Sequence, residues 1–492
     1  MNPLKKLAGQ TVIYGLSSVV GRLLNYLLVP LYTRYFLPEE YGVVTELYAY
    51  VAFLVVILTY GIETSFFRYS QKSPNKKTVY STALISLLIT STIFVSIIYF
   101  NAFSIANWLQ YPNFPEYIRW FAIIIGLDAV SAISFAKLRE QNKASRFALV
   151  RLVNIFINIG LNLFFIIYCP YALENGLSSV GFVNSVYSAD IGIGYIFIAN
   201  LIASMVTFLM LLPEMIKSVW VFDKSLWKQM MIYGLPLLIA GLAGMTNETI
   251  DRILLKHLLP ATANASSELG LYGAFYKLSI LMILFIQTFR FAAEPFFFAQ
   301  EKEKNARKVY ADVMKYFVII TSVIFLSVSM FYDFIILFLG ENYRDERGFM
   351  VVSILLAANL FLGIYYNLSI WYKLSEKTKY GAYLSIFGAI ITLCLNFILI
   401  PKIGFVGSAW ATLICYFSMT VTSYYLGNKH YKIPYPLKRI FFYLGLVCVL
   451  YFTSIYFDSN IINSLYILIF ISIAFYLEKP KKAVISNPKL FD

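Results

Sequence analysis

A chain of 492 residues that is 60% hydrophobic and 13% charged cannot bury its apolar surface as a soluble protein, whose charged fraction lies at roughly 25%. The net charge of +14 would suit a nucleic-acid partner, but the cations sit in short loops between apolar runs and read as topological signals instead. Four scattered cysteines (Cys169, Cys394, Cys415, Cys448) and two distant histidines (His257, His430) have no metal or redox spacing, so neither a metal nor a cofactor is expected.

Apolar runs of about 20 residues, enough to cross a bilayer as helices, recur along the whole chain, and about fourteen spans are expected. The first, 9–31, has no small-x-small cleavage site and is expected to remain as an anchor; it carries Tyr14, Ser18, Arg22 and Asn25 on one helical face. The second, 43–64, has Glu46 near its start and Glu63 near its end; the third covers 79–100. The fourth, 117–137, holds Asp128, and the fifth, 147–168, presents Arg151, Asn154, Asn158 and Asn162 on one face. The sixth covers 191–213, and the seventh, 229–250, ends near Glu248 and Arg252, spaced for a local salt bridge. The eighth, 269–293, carries Lys277, Gln287, Arg290 and Glu294; the last three share a face, Arg290 and Glu294 are spaced to pair, and Lys277 points elsewhere on a straight helix. Six more follow at 311–333, 349–371, 380–400, 405–427, 439–457 and 461–477.

Counted by loop, about 28 of the 40 Lys and Arg residues fall on the side of the N-terminus and about seven on the other. That bias places both termini in the cytoplasm.

An internal repeat is visible. Ile-Tyr-Gly-Leu opens the first span (Ile13–Leu16) and the seventh (Ile232–Leu235). "KLRE" (Lys137–Glu140) is echoed by "KLSE" (Lys373–Glu376), "LNLFFII" from Leu161 by "LNFILI" from Leu395, and "IGIGYIFIANLI" from Ile191 by "IGFVGSAWATLI" from Ile403. Leu-Pro followed by Tyr-Gly occurs at Leu37–Gly42 and again over Leu259–Gly273. The matches keep chain order, so two six-helix lobes are expected, at 1–216 and 217–430, with 431–492 adding two helices and a cytoplasmic tail. An even number of spans makes the copies parallel, with the central cavity of an alternating-access transporter between them.

A charge at mid-span costs about 2.5–3.5 kcal/mol on insertion scales and usually faces the protein interior. Arg22 therefore reads as an anion contact in a cavity, or as the partner of Glu63 or Asp128. The asparagines suit sugar hydroxyls, which they can both donate to and accept from, and equally suit helix–helix adhesion. Glu63, Asp128 and Glu294 are candidates for a coupling proton or cation, or neutralise neighbouring cations. No Walker A sequence is present, so ATP does not drive this chain directly.

"TVIYGLSSVVGRLLNYLLVPLYTRYFLPEEYG", "IDRILL" from Ile250, "YGAFYKL" from Tyr272 and "LNFILIPKIGFVGSAWAT" from Leu395 resemble the bacterial O-antigen and polysaccharide flippases of the Wzx type. These belong with lipid II flippases and multidrug extruders in one exporter superfamily. The resemblance implies flipping of an undecaprenyl-diphosphate-linked oligosaccharide from the cytoplasmic to the periplasmic leaflet of the inner membrane, with proton, sodium or membrane-potential coupling. It also implies membrane lipid as surroundings and a polysaccharide polymerase and chain-length proteins as partners. In the related lipid II flippases, cavity cations on helices one and eight matter for the substrate. Arg22 matches the first in "GRLLNY", and Lys277 the second in "FYKL", with Lys replacing Arg. On these grounds Arg22, Asn25, Lys277, Arg290, Arg151, Asn154 and Asn158 are the expected contacts to diphosphate and sugar.

Two other classes compete. A cation-coupled exporter of drug-like molecules would place carboxylates rather than cations in its cavity. A polymerase or ligase acting on the same lipid-linked sugars would carry catalytic groups on a large outer loop, whereas the longest outer segment, about 169–190, contains Glu174 and Asp190 and no cation.

Overall fold

The computed structural model describes residues 20–479 except 261, 302 and 458, all of them in helices, turns and loops with no β-strand. The first Ile-Tyr-Gly-Leu, Tyr14 and Ser18 lie outside the described residues. Thirteen helices are long and apolar enough to cross a membrane, and they correspond to the second to fourteenth expected spans. The first span is described from residue 20, as a helix over 20–26, a turn, and Val29–Tyr35. The protein is thus an all-α polytopic membrane bundle of about fourteen helices.

Numbered in chain order, α1 is 20–35, α2 Pro38–Lys72, α3 Lys76–Phe100, α4 Pro115–Glu140, α5 Ala144–Glu174, α6 Gly194–Ile216 and α7 Lys224–Leu258. The eighth, α8, is Ala265–Leu278 followed by Ile280–Gln300. Then come α9 Ala306–Met330, α10 Gly348–Leu374, α11 Lys379–Ile403, α12 Phe405–His430, α13 Leu437–Phe457 and α14 Asn460–Glu478. The face carrying most Lys and Arg, at the loops after α2, α4 and α6, is called the basic face below.

Local chemistry accounts for the irregularities. Pro38 starts α2 at its first turn, where a missing N–H costs nothing, and Glu40 reaches back to the Leu37 N–H at 2.9 Å. The same helix bends at Tyr60 and Gly61, both at positive φ, before continuing from Ile62. In α5 a π-helical turn spans Phe164–Tyr168. Asp223 caps α7 by accepting from the Leu226 N–H at 2.9 Å.

Packing repeats with each number raised by six. In the first half α3 packs on α4, α4 on α6 and α5 on α6; in the second α9 packs on α10, α10 on α12 and α11 on α12. The last two helices, α13 and α14, rest on α9. Between the halves, α2 packs along α8 and α7.

The α2–α8 crossing lies toward the face opposite the basic one, and it is made by glycines. A Cβ on Gly42 would stand 2.0 Å from the Ser266 carbonyl oxygen, and one on Gly270 would stand 1.8 Å from that of Pro38. The Tyr-Gly of both sequence repeats, Gly42 and Gly273, sits at this crossing, with Gly273 against Thr45. Around it, Glu39 accepts from Asn264, Thr33 Oγ1 from the Gly340 N–H at 3.1 Å, and the Phe36 carbonyl from Tyr343 at 3.1 Å. Arg347 clamps Glu268 through two hydrogen bonds of 2.8 and 2.9 Å. Its hydrogen bonds also hold the Asp345 carboxyl below the usual carboxylate range.

Gly42→Ala and Gly270→Ala are expected to destabilise the purified protein by about 1–3 kcal/mol through overpacking. Gly244→Ala, in α7 with nothing within 4 Å of the added Cβ, should be neutral or stabilising. Thermal unfolding in detergent reads the difference; equal midpoints for all three would contradict the close crossing.

Candidate functional site

Where α1, α2, α5 and α6 face α7 and α8, a cavity of about 460 Å³ opens inside the bundle. Its two walls differ in chemistry. The first half contributes Arg22, Asn25, Asn158, Asn200 and Tyr48; the second contributes Glu248, Arg252, Lys277 and Gln287.

Arg22 is exposed to this cavity, and its guanidinium donates across it to the Gln287 side-chain oxygen. Neither Glu63 nor Asp128 pairs with it. A neutral amide orients the guanidinium and leaves its charge uncompensated. One turn further along α1, Asn25 accepts from Asn158 Nδ2 at 3.5 Å, where α1 meets α5. Asn200 of α6 donates to the Tyr48 hydroxyl at 2.9 Å.

Two sequence expectations are corrected here. A straight eighth helix would turn Lys277 away from Gln287, yet both line the cavity because α8 breaks between Leu278 and Ile280. The linking Ser279 donates to the Tyr276 carbonyl at 2.8 Å and accepts from Asn359 at 3.3 Å. Glu248 and Arg252, spaced as a helical pair, form no ion pair within 4.0 Å. Instead the Arg252 guanidinium lies over the Tyr276 ring, 4.2 Å from its centroid. Behind the wall Asp251 is buried, accepting from the Tyr272 hydroxyl and from the Arg252 backbone N–H.

Three residues expected to touch substrate lie outside this cavity. Arg290 pairs with Glu294 at 3.1 Å, as its i,i+4 spacing predicts, and stacks over Tyr366 at 4.8 Å. Arg151 lies over the Phe135 ring at 4.2 Å, beside Asp128. Asn154 donates to Thr207 at 2.9 Å. Of the candidate coupling carboxylates, Glu63 is paired with Arg139 and Glu294 also with Lys373. Asp128 lies beside Ser204 and Arg151, with no ion pair within 4.0 Å among the described residues. Asn162, the end of the asparagine ladder, accepts from Tyr32 at 3.0 Å and is fully buried, a helix-joining role.

Beyond the cavity, toward the face opposite the basic one, Glu46 receives Lys256 Nζ at 2.8 Å and the Tyr111 hydroxyl, while Lys256 also donates to the Leu109 carbonyl at 2.7 Å. The Lys256 ammonium stands 3.6 Å from the Tyr111 ring centroid. Both charged side chains are buried, at 4% and 0% exposure, so the pair is dry and joins α2 of the first half to α7 of the second. Spacing could not have found it: the partners are 210 residues apart. Asn200 and Tyr48 are also new, since single polar residues in apolar spans carry no periodic signal. Among the described residues no group of three His, Cys, Asp or Glu side chains is placed to hold a metal ion.

The sequence profile of the family described as "Polysaccharide biosynthesis protein" matches residues 7–299. No curated protein is similar enough in sequence to count as a match. The fold is similar to that of the lipid II flippase MurJ in an inward closed conformation, with a TM-score of 0.68 at 18% identity, covering 94% of this chain and 99% of that one. It is also similar to a multidrug resistance MATE family transporter of the MOP superfamily: the inward-facing form gives 0.63 at 14% identity, covering 85% and 94%. The outward-facing form gives 0.58 at 15% identity, covering 85% and 95%.

Removing one partner of a buried ion pair strands the other charge, at about 3–5 kcal/mol. Lys256→Ala and Glu46→Ala are each expected to lower the unfolding midpoint of the purified protein markedly, and Glu46→Leu combined with Lys256→Met to recover most of it. A double variant no better than the singles would show that the pair is not energetically coupled.

Proposed function

The chain belongs to the polysaccharide biosynthesis protein family, and on that premise we propose that it is a flippase for an undecaprenyl-diphosphate-linked oligosaccharide. It carries this repeat unit of a surface polysaccharide from the cytoplasmic to the periplasmic leaflet of the bacterial inner membrane. The observation that carries the reading is the cavity wall: Arg22, Arg252 and Lys277 converge there, and among the described residues none has an ion-pair partner within 4.0 Å. Cations without a direct ion-pair partner in a low-dielectric cavity are arranged for an anion, and a diphosphate is the anion that lipid-linked sugars carry.

The amides and phenols of the facing wall suit the sugars. Asn25, Asn158, Asn200 and Tyr48 offer both donors and acceptors to hydroxyl groups. The prenyl chain stays in lipid. Transport follows if lobe 1–216 rocks against lobe 217–430, exposing the cavity to each leaflet in turn while 431–492 rides on the second lobe. The glycine crossing and the Glu46–Lys256 pair support a form closed toward the periplasm, with the basic face and both termini cytoplasmic. A proton, sodium or the membrane potential supplies coupling, Asp128 being the one candidate carboxylate of the three outside an ion pair. A polymerase and chain-length proteins take over the product, and nucleic acid has no part.

The test is transport in cells lacking the gene. Arg22→Ala and Lys277→Ala are expected to cut export at least about tenfold at normal membrane levels, leaving completed lipid-linked repeat units on the cytoplasmic leaflet. Lys277→Arg should retain transport, since the charge stays and a bidentate fork is gained. Full export by both alanine variants would retire the diphosphate assignment.

A further inference from the structure

Most carboxylates described inside this bundle have a polar partner on at least one oxygen. Glu46 has Lys256 and Tyr111, Glu63 has Arg139, Glu294 has Arg290 and Lys373, and Asp251 has Tyr272, while Asp128 lies away from the cavity beside Arg151. Glu248 stands apart. It lines the cavity, is exposed to it, and among the described residues makes no hydrogen bond and no ion pair within 4.0 Å. The cation one helical turn away, Arg252, is drawn onto the Tyr276 ring instead.

A free carboxylate on the wall of an anion site works against the anion. Among the described lining residues, three cations and one carboxylate leave a formal charge of +2 on the cavity wall. A diphosphate diester brings two negative charges to that wall, so Glu248 both repels the ligand and offers the cations an alternative partner. Asp251 does not share this position: it offsets Arg252 from behind the wall, where it is buried and held by Tyr272 and the Arg252 backbone N–H. We infer that Glu248 is a release-setting residue: it competes with the diphosphate for Arg252 and Lys277 and keeps the bound state weak enough for the cargo to leave. This rests on reading the cavity as a diphosphate site. Transport needs a site that binds well enough to load and poorly enough to empty, and a carboxylate among cations supplies the second property.

The experiment uses purified full-length protein, wild type and the variants Glu248→Gln and Glu248→Ala. Binding is measured with farnesyl-diphospho-N-acetylglucosamine and with an uncharged farnesyl glycoside. Flipping is measured in proteoliposomes with a fluorescent undecaprenyl-diphosphate sugar. Both variants are expected to bind the diphosphate probe about tenfold more tightly, with unchanged affinity for the glycoside and several-fold slower multiple-turnover flipping. Unchanged or weaker diphosphate binding by both variants, with the wild type binding, overturns the role of Glu248 alone. Tighter binding with undiminished turnover overturns it as well. Absence of diphosphate binding by the wild type removes the site assignment, and this inference with it.

Discussion

Everything that distinguishes the interior of this bundle depends on how closely α2 approaches α8. Helices normally keep 8–10 Å between axes because side chains stand between them. At Gly42 and Gly270 there is no room even for a Cβ, so backbone touches backbone. Lipid offers no hydrophobic drive to join helices, and small residues that allow such contact are the available substitute. The contact closes the bundle on one side, which is why the space deeper in becomes a cavity instead of a groove. It also fixes α7 beside α2, and that brings Lys256 to Glu46.

Within the cavity, the division between walls follows from the halves. Among the described residues, Arg22 is the single ionic group that the first half contributes, and Gln287 of the second half orients it. The other charges come from α7 and α8. A ligand with an anionic part and a hydroxylated part would contact both halves at once, so its presence bears directly on their relative position. Binding that spans two bodies is how a cargo influences a conformational equilibrium.

Hydropathy located the spans because the bilayer demands apolar length, and all thirteen fully described spans lie where it placed them. Loop charges and repeated motifs are signals of the same kind, long and averaged over many residues. Side-chain partnerships were less legible. The break at Ser279 has no proline or glycine to announce it, so a straight helix put Lys277 on a different face from Gln287. The spacing of Glu248 and Arg252 was correct for a pair, but an aromatic face from α8 captured the guanidinium. Arg151 and Arg290 read as cavity cations because any charge in a span does; their ring and carboxylate partners come from neighbouring turns and helices that periodicity cannot assign. Asn25 and Asn158 were recoverable because a helical polar stripe survives in one dimension.

The Glu46–Lys256 pair has a meaning for biosynthesis as well as for stability. Its partners are separated by 210 residues, which at ordinary elongation rates is about 10–40 s of synthesis. During that interval α2 has left the ribosome with Glu46 near its start and without Lys256 to meet it. Helices α3 to α6 are made before Lys256 is. The first half therefore cannot make this contact as it is inserted. It is completed only when the end of α7 emerges, so maturation of the earliest helices is timed by the arrival of a single late lysine.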